Sequence, residues 1–236
     1  MSAFSGLTDW FDDLRTALAV LTRLPMPHPD AGHAQHPVRA GRVFPLVGAL
    51  IGGIVGVVYD ALLNFTVPDL AAASLALGAG CVLTGAMYER GLAATADQGQ
   101  TTLGTAGLMA LLVAFGAKLG VLTSLPIHGT LATLVTAHTL ARMPLPALAA
   151  WLPGDDSAEV PAPDVVVASL AFGALIALLL LPFGPALTAL IAALLAATGA
   201  AWWARRTGAR PEDALAAAEQ AAEIAVMLTV VAIWSE

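Results

Sequence analysis

Seven stretches of this chain are each long enough to cross a bilayer and carry almost no charge. They cover residues 43–63, 67–88, 103–125, 127–152, 165–181, 185–203 and 214–234. A helix needs roughly 20 apolar residues to cross a hydrocarbon core about 30 Å thick. Only 11% of the residues are charged, compared with about 25% in soluble domains. The chain is therefore predicted to be an integral membrane protein with about seven spans.

The predicted fold class is all-α, a polytopic transmembrane helix bundle. Backbone polar groups must be paired inside the lipid, which favours helices. The stretches are rich in Ala, Leu and Gly and lack the alternation of polar and apolar residues that is typical of membrane strands. Residues 1–236 are expected to form one integral membrane domain, in which 43–236 make the transmembrane bundle.

The basic residues predict an orientation for the bundle. With seven spans, one set of loops contains Arg15, Arg23, Arg39, Arg42, Arg90, Arg205, Arg206 and Arg210, and the opposite loops contain no Lys or Arg. Basic residues concentrate in cytoplasmic loops. The N-terminus and the loops 89–102, 153–164 and 204–213 are therefore predicted to be cytoplasmic.

Residues 1–42 are expected to form a cytoplasmic segment before the bundle. Apolar residues at helical spacing in 4–24 predict either an amphipathic helix along the membrane surface or a helix packed on the ends of the bundle. The segment 25–37 is rich in proline and histidine and is predicted to be a loop, with metal binding by its histidines as the less favoured alternative.

Some classes of function and site are disfavoured by composition. A formal net charge of −7 argues against nucleic acid as a partner. Cys81 is the single cysteine, which excludes a disulfide framework and a cysteine-based metal site within this chain. Gly48, Gly52 and Gly56 recur every fourth residue in the first span, a spacing that allows two helices to pack closely.

An acidic cluster follows the second stretch, at residues 88–97. If this segment is helical, Glu89 and Asp97 lie about 80° apart around the axis, and both can face one cavity. Two such carboxylates are suited to Mg²⁺, which prefers a few carboxylates together with phosphate oxygens. The alternative is a solvated loop with ordinary surface charges.

Charged residues also occur within or beside the other stretches. Lys118 and Arg142 lie inside two of them, where they either snorkel to the surface or pair with a carboxylate. Glu219 and Glu223 are one helical turn apart in the last stretch. They require a polar cavity unless the helix leaves them in the headgroup region.

At these residues the chain resembles the cobalamin synthase family, the adenosylcobinamide-GDP ribazoletransferases, over nearly its whole length. The similarity includes LTRLPMP at 21–27, FPLVG at 44–48, LTG at 83–85, Lys118 and Ala141-Arg142. The acidic cluster is similar to a family motif of the form HEDGLADTADG. The segment from Asp213 to Glu223 is similar to a motif of the form GDxLGA…E.

The resemblance implies a phosphotransferase of vitamin B12 synthesis that joins adenosylcobinamide-GDP to α-ribazole or its phosphate, uses Mg²⁺ and releases GMP. It implies Asp97 and Asp213 as catalytic residues and Glu89 and Asp97 as metal ligands. The residues expected to bind phosphate are Arg23, Arg42, Lys118 and Arg142. The implied location is a bacterial or archaeal cytoplasmic (inner) membrane. Further copies of the chain, or other membrane proteins of the pathway, are expected partners.

The chain departs from the family's acidic motif at Tyr88, Arg90 and Ala94, which stand where the motif has His, Asp and Asp. These departures motivate a second hypothesis, a non-catalytic relative that binds a corrinoid or nucleotide intermediate or scaffolds other enzymes. A small transporter is a third hypothesis, but the hydropathy pattern contains no inverted repeat.

Overall fold

The computed structural model of the protein describes residues 3–26, 37–100, 102–152 and 159–234, and the regular structure in these ranges is helical. In chain order the helices are α1 (Ala3–Leu21), α2 (Pro37–Ala40), α3 (Phe44–Asn64), α4 (Asp69–Thr84), α5 (Met87–Ala96), α6 (Thr105–Ser124), α7 (Ile127–Arg142), α8 (Leu145–Trp151), α9 (Pro163–Leu180), α10 (Phe183–Thr207) and α11 (Pro211–Trp234). The all-α prediction is confirmed. His28, His33 and His36 lie outside the described residues.

Five of the described helical segments are long and apolar enough to cross a membrane. They are Pro37–Asn64, Thr105–Ser124, Pro163–Leu180, Phe183–Thr207 and Pro211–Ile233. The count becomes six if α4 and α5, which meet at a bend of 92°, form one broken span. The chain is thus a multi-pass membrane protein, while the count of seven and the side of the N-terminus remain predictions.

The stretch 127–152 differs most from its expected form as a single span. It is divided into α7 and α8 at Met143 and Pro144. Helix α7 is largely buried among α3, α9 and α11. Two of its threonine hydroxyls donate to backbone oxygens one turn earlier, that of Thr130 to Pro126 O and that of Thr133 to Gly129 O at 2.8 Å. A helix enclosed by other helices can therefore carry polar residues without exposing them to lipid.

The bend between α4 and α5 depends on two residues with left-handed backbone conformation. Gly85 has φ +66° and Ala86 has φ +51°. Glycine adopts this conformation without the steric cost that other residues incur. The bend turns α5, which carries the acidic cluster, across the end of the bundle against α11.

Two stripes of small residues bring the central helices together. A Cβ on Gly48 or Gly52 would overlap the backbone of α7 at His138 or Leu134, so the predicted close approach occurs between α3 and α7. Helix α10 buries one alanine in every turn, from Ala186 to Ala204, and packs along α11. Helix α11 therefore lies inside the bundle, with 56% of its apolar stretch buried compared with 22% for α10.

Helix α1 packs on the bundle through one face. Ala17 is fully buried, and Asp13 pairs with Arg39 at 2.9 Å and also with Arg42. The guanidinium of Arg42 stacks on the ring of Trp10 at 3.7 Å. Of the two predictions for residues 4–24, these contacts favour the helix packed on the bundle.

Candidate functional site

Helix α11 brings a group of charged side chains into the interior of the bundle. This group, here called the buried cluster, consists of Lys118, His138, Arg142, Glu219, Gln220 and Glu223. Glu219 and Glu223 are one turn apart and so share a face of α11. Both are buried inside the bundle, with 0% of Glu219 and 2% of Glu223 exposed.

Each glutamate of the buried cluster has a cationic partner. Arg142 Nη1 lies 2.8 Å from Glu219 Oε1, and Lys118 Nζ lies 2.7 Å from Glu223 Oε1. His138 Nδ1 lies 3.4 Å from Glu223 Oε2. Two carboxylates thus meet two cations, which is the condition under which ionised groups are tolerated away from water.

Arg142 has further contacts that hold its guanidinium. It donates a hydrogen bond to His138 O at 3.0 Å and lies 4.7 Å from the centre of the Tyr88 ring. Only 1% of this residue is exposed. Arg142 therefore links α7 to both α11 and α5.

Gln220 connects the buried cluster to the acidic segment on α5. Its Oε1 accepts a hydrogen bond from Lys118 Nζ at 2.9 Å. Its Nε2 donates to Glu219 Oε2 at 3.1 Å and to Glu89 Oε1 at 3.4 Å. This amide orientation is the one that satisfies its neighbours, because the reverse would place –NH₂ against an ammonium group and an oxygen against two carboxylates.

A cavity of about 680 Å³ lies on the other side of Glu89, where α5, the start of α6 and the start of α11 meet. This charged cavity is lined by Glu89, Arg90, Asp97, Arg210, Glu212 and Asp213. Gly91 lets α5 approach α11 closely, since a Cβ there would overlap Ala216. The predicted cavity shared by Glu89 and Asp97 is therefore present in the structure.

Asp97 has a structural partner on each oxygen. Its Oδ2 accepts the N–H of Gly104 at 2.7 Å, and its Oδ1 accepts the N–H of Gly107 at 2.8 Å. Both amides belong to the N-terminal end of α6, which lacks intrahelical partners for such groups. Asp97 therefore fixes the start of α6 as well as lining the charged cavity.

The two arginines of the charged cavity differ in their pairing. Arg210 Nε lies 3.1 Å from Asp213 Oδ2 and 3.5 Å from Glu212 Oε1. Arg90 is exposed, and its guanidinium has no ion pair within the described ranges. Its positive charge is therefore available to a ligand in the cavity.

The residues predicted from the sequence fall into four places. Glu89, Asp97 and Asp213 line the charged cavity, while Lys118 and Arg142 belong to the buried cluster. Arg42 pairs with Asp13, and Arg23 lies exposed beside Gly85 at the α4–α5 bend. Arg23 and Arg42 are not among the residues lining the charged cavity.

Sequence reasoning assigned no role to Gln220 and left the position of Glu219 and Glu223 open. The available signal was the pair of glutamates one turn apart within an apolar stretch, because such a pair is costly unless it meets cations. Gln220 gave no comparable signal, since its role depends on Glu89, 131 positions away in the chain.

The residues assigned to Mg²⁺ are chemically suited to it. Glu89 Oε2 is buried and has no hydrogen-bond partner in the described part of the chain. Each oxygen of Asp97 accepts one N–H and retains a further lone pair. Because Mg²⁺ usually takes one or two carboxylates and completes its shell with water and phosphate oxygens, this donor set fits.

A tighter group of donor atoms occurs within the buried cluster. Among the described residues, ligand atoms of His138, Glu219 and Glu223 lie within 4.8 Å of one another. Lys118 and Arg142 already balance the two glutamates. The ion pairs therefore account for this group without a metal.

Comparisons with known proteins place this chain in one family. Residues 13–231 match the family described as cobalamin-5-phosphate synthase (CobS). The chain is 33% identical to an adenosylcobinamide-GDP ribazoletransferase of Bradyrhizobium diazoefficiens, over 93% of each chain. It is 32% identical to the enzyme of the same name from Rhizobium etli, over 94% of this chain and 96% of the relative. No solved structure matches the chain. The chain belongs to the cobalamin-5-phosphate synthase family.

Proposed function

We propose that this protein is an adenosylcobinamide-GDP ribazoletransferase of cobalamin biosynthesis, a membrane enzyme. Membership of the family and the names of its relatives support this function. The observation that carries it is the charged cavity, in which three carboxylates expected at the active site meet two arginines suited to phosphate.

The proposed reaction transfers a corrinoid phosphate from one oxygen to another. A hydroxyl oxygen of α-ribazole or its phosphate forms a bond to the phosphorus nearer the corrinoid. The bond from that phosphorus to the bridging oxygen of the diphosphate breaks, and GMP leaves with this oxygen. The hydroxyl proton passes to a carboxylate of the cavity. Catalysis of this kind relies on positioning and on neutralising phosphate charge.

Asp213 is our candidate for the carboxylate that accepts the proton. It lies at the start of α11 in the wall of the charged cavity, and Arg210 orients it. Arg210 is largely exposed, so its guanidinium can also approach a phosphate oxygen. Arg90 supplies a second guanidinium in the same wall.

Glu89 and Asp97 are the residues that would hold Mg²⁺. When bound, the ion would neutralise negative charge on the phosphates. Gln220 and the backbone amides of Gly104 and Gly107 hold these carboxylates in place. The role of the chain's own residues is thus to fix two carboxylates before the substrate arrives.

We further propose that the charged cavity faces the cytoplasm in a bacterial inner membrane. Arg90, Arg205, Arg206 and Arg210 all belong to loops predicted to be cytoplasmic. A homo-oligomer, or assembly with other membrane enzymes of the pathway, remains a proposal based on the family resemblance.

A turnover assay in lipid tests the function. Purified protein receives adenosylcobinamide-GDP, α-ribazole and Mg²⁺, and the release of GMP is followed together with the corrinoid product. We expect matched formation of both products, and a loss of about 100-fold or more in Glu89→Gln. Asp164→Asn is the matched control, because Asp164 lies at the start of α9 and is not among the residues lining the charged cavity.

Each alternative outcome has a distinct meaning. Substrate binding without turnover would contradict the enzyme and support the non-catalytic relative. Transport of a corrinoid or an ion by proteoliposomes, again without turnover, would support the transporter. Equal losses in Glu89→Gln and Asp164→Asn would contradict the assignment of the site.

A further inference from the structure

A second cavity of about 290 Å³ lies beside the charged cavity at the same end of the bundle. Helices α1, α2, α3, α5, α8 and α11 contribute to it, and most of its lining is apolar. Representative side chains are those of Val20, Leu21, Val38, Phe44, Leu145 and Leu215. A pocket of this size lies near the lower end of those that enclose small ligands. The proposed reaction assigns no role to this apolar cavity.

The apolar cavity and the charged cavity share a wall. Met87, Glu212 and Ala216 line both of them. Glu212 is the charged residue at this boundary, and Glu159 is the other charged residue in the lining of the apolar cavity. A ligand with an apolar end and a polar end would therefore find a matching environment on each side of the wall.

We infer that the apolar cavity binds the aromatic base of the ribazole nucleoside, an inference that rests on the proposed function. The base of α-ribazole is a dimethylbenzimidazole, a flat bicyclic ring with two methyl groups and no exocyclic polar group. Its burial against aliphatic side chains is favourable and leaves few polar atoms unpaired. The sugar then lies at the shared wall, where its hydroxyl reaches the charged cavity.

The other large groups of the two substrates fit this cavity poorly. Guanine carries an exocyclic oxygen and an amino group, and burying these among aliphatic side chains without partners costs free energy. A corrin ring with its amide side chains is bulkier and more polar than the cavity allows. The dimethylbenzimidazole is thus the substrate group that best matches both the volume and the lining.

Two substitutions that fill the apolar cavity from different helices provide the test. Val20 lies on α1 and is 41% exposed, and Val38 lies on α2 and is partly buried. A tryptophan at either position has room on the outer side, so folding does not depend on its complete burial. Val167→Trp is the matched control, because Val167 is 64% exposed on α9 and is not among the residues lining either cavity.

The measurements are equilibrium binding of α-ribazole and of GDP to the full chain in lipid, together with KM for each substrate. We expect Val20→Trp and Val38→Trp to weaken α-ribazole binding and raise its KM by at least tenfold, with GDP affinity changed less than twofold. We expect Val167→Trp to change neither. Thermal unfolding and gel filtration show whether each variant is folded. If one of the two tryptophan variants is misfolded, the other one decides the test.

The outcomes separate this inference from the proposed function. Turnover with an unchanged KM for α-ribazole in both folded variants would overturn the inference and leave the proposed enzyme function standing. The unsubstituted protein could also bind α-ribazole without any turnover. Loss of that binding in both variants would then support the inference and contradict the proposed enzyme function. If α-ribazole binding is unchanged but copurified phospholipid falls in both variants, the cavity holds a lipid chain and the inference is overturned.

Discussion

The buried cluster and the charged cavity both contain carboxylates, but the two regions differ in how completely those charges are paired. In the buried cluster, Glu219 and Glu223 each meet a cation within 2.8 Å. In the charged cavity, Glu89 has a carboxylate oxygen without a partner, and Arg90 has no ion pair among the described residues. Matched charges hold the helices together, whereas unmatched charges remain available to a ligand.

The largest expected effect comes from breaking a matched pair in the buried cluster. Arg142→Leu leaves the buried Glu219 without its cation, so we expect the free energy of unfolding in lipid to fall by about 3–5 kcal/mol. The double variant Arg142→Leu with Glu219→Leu is expected to recover much of this loss. Equilibrium unfolding of the purified protein measures both.

Arg210→Leu is the control for this comparison. Its guanidinium and its partner Glu212 are exposed to solvent, although its other partner Asp213 is buried, and pairs that solvent can reach contribute about 0–1 kcal/mol. If Arg210→Leu destabilised the protein as strongly as Arg142→Leu, the distinction between the two regions would be wrong.

Asp97→Ala is expected to have an intermediate effect because Asp97 belongs to both structure and site. Loss of its two bonds to the start of α6 is expected to cost about 1–2 kcal/mol of stability. Turnover is expected to be lost as well. Asp97→Asn separates the structural role from the catalytic one. The amide oxygen of the asparagine still accepts one backbone N–H, while the carboxylate charge is gone. Full turnover in a folded Asp97→Asn would remove Asp97 from the catalytic residues.

Gln220→Met tests the link between the two regions. If Gln220 positions Glu89, we expect turnover to fall by about tenfold, the equivalent of a hydrogen bond worth about 1.4 kcal/mol. The same substitution is expected to have no further effect in a Glu89→Gln background. Ser169→Ala is the control, because it removes a buried hydrogen bond to Met143 O at 2.9 Å on a different helix. Additive losses in the double variant would assign Gln220 to packing alone.

The smallest expected effect is that of Arg90→Gln. Because Arg90 has no ion pair among the described residues, we expect stability to be unchanged within about 0.5 kcal/mol. KM for adenosylcobinamide-GDP is expected to rise severalfold at low salt and less at high salt. Arg206→Gln removes an equal charge from a residue that stacks on Trp202 and is not among those lining either cavity. A similar change in both variants would mean that Arg90 acts only through net charge.

Local patterns were sufficient for the helices and for part of the site. The apolar stretches predicted the helices, the glycine spacing predicted a close approach of some second helix to α3, and the spacing of Glu89 and Asp97 predicted a shared cavity. The sequence could not reveal that Gly85 and Ala86 would turn α5 by 92°. It also could not reveal that α7 is enclosed by other helices, because the partners of a helix are set by the tertiary packing.

The partners of the charged residues were likewise beyond local reasoning. Lys118 and Arg142 were expected either to bind phosphate or to pair with a carboxylate, and they contact Glu223 and Glu219, on a helix that follows much later in the chain. Arg42 was expected in the same role and pairs with Asp13 from α1. Each of these pairings depends on which helices become neighbours, and sequence spacing carries no information about that.

The right angle between α4 and α5 has a consequence for how substrates reach the enzyme. If α4 stands upright in the bilayer, the ten residues of α5 run for about 15 Å along the plane of the lipid headgroups. The mouth of the charged cavity then opens at the water–lipid boundary. A substrate that adsorbs to that boundary searches for the enzyme in two dimensions, so the membrane itself becomes part of the route by which the substrate arrives.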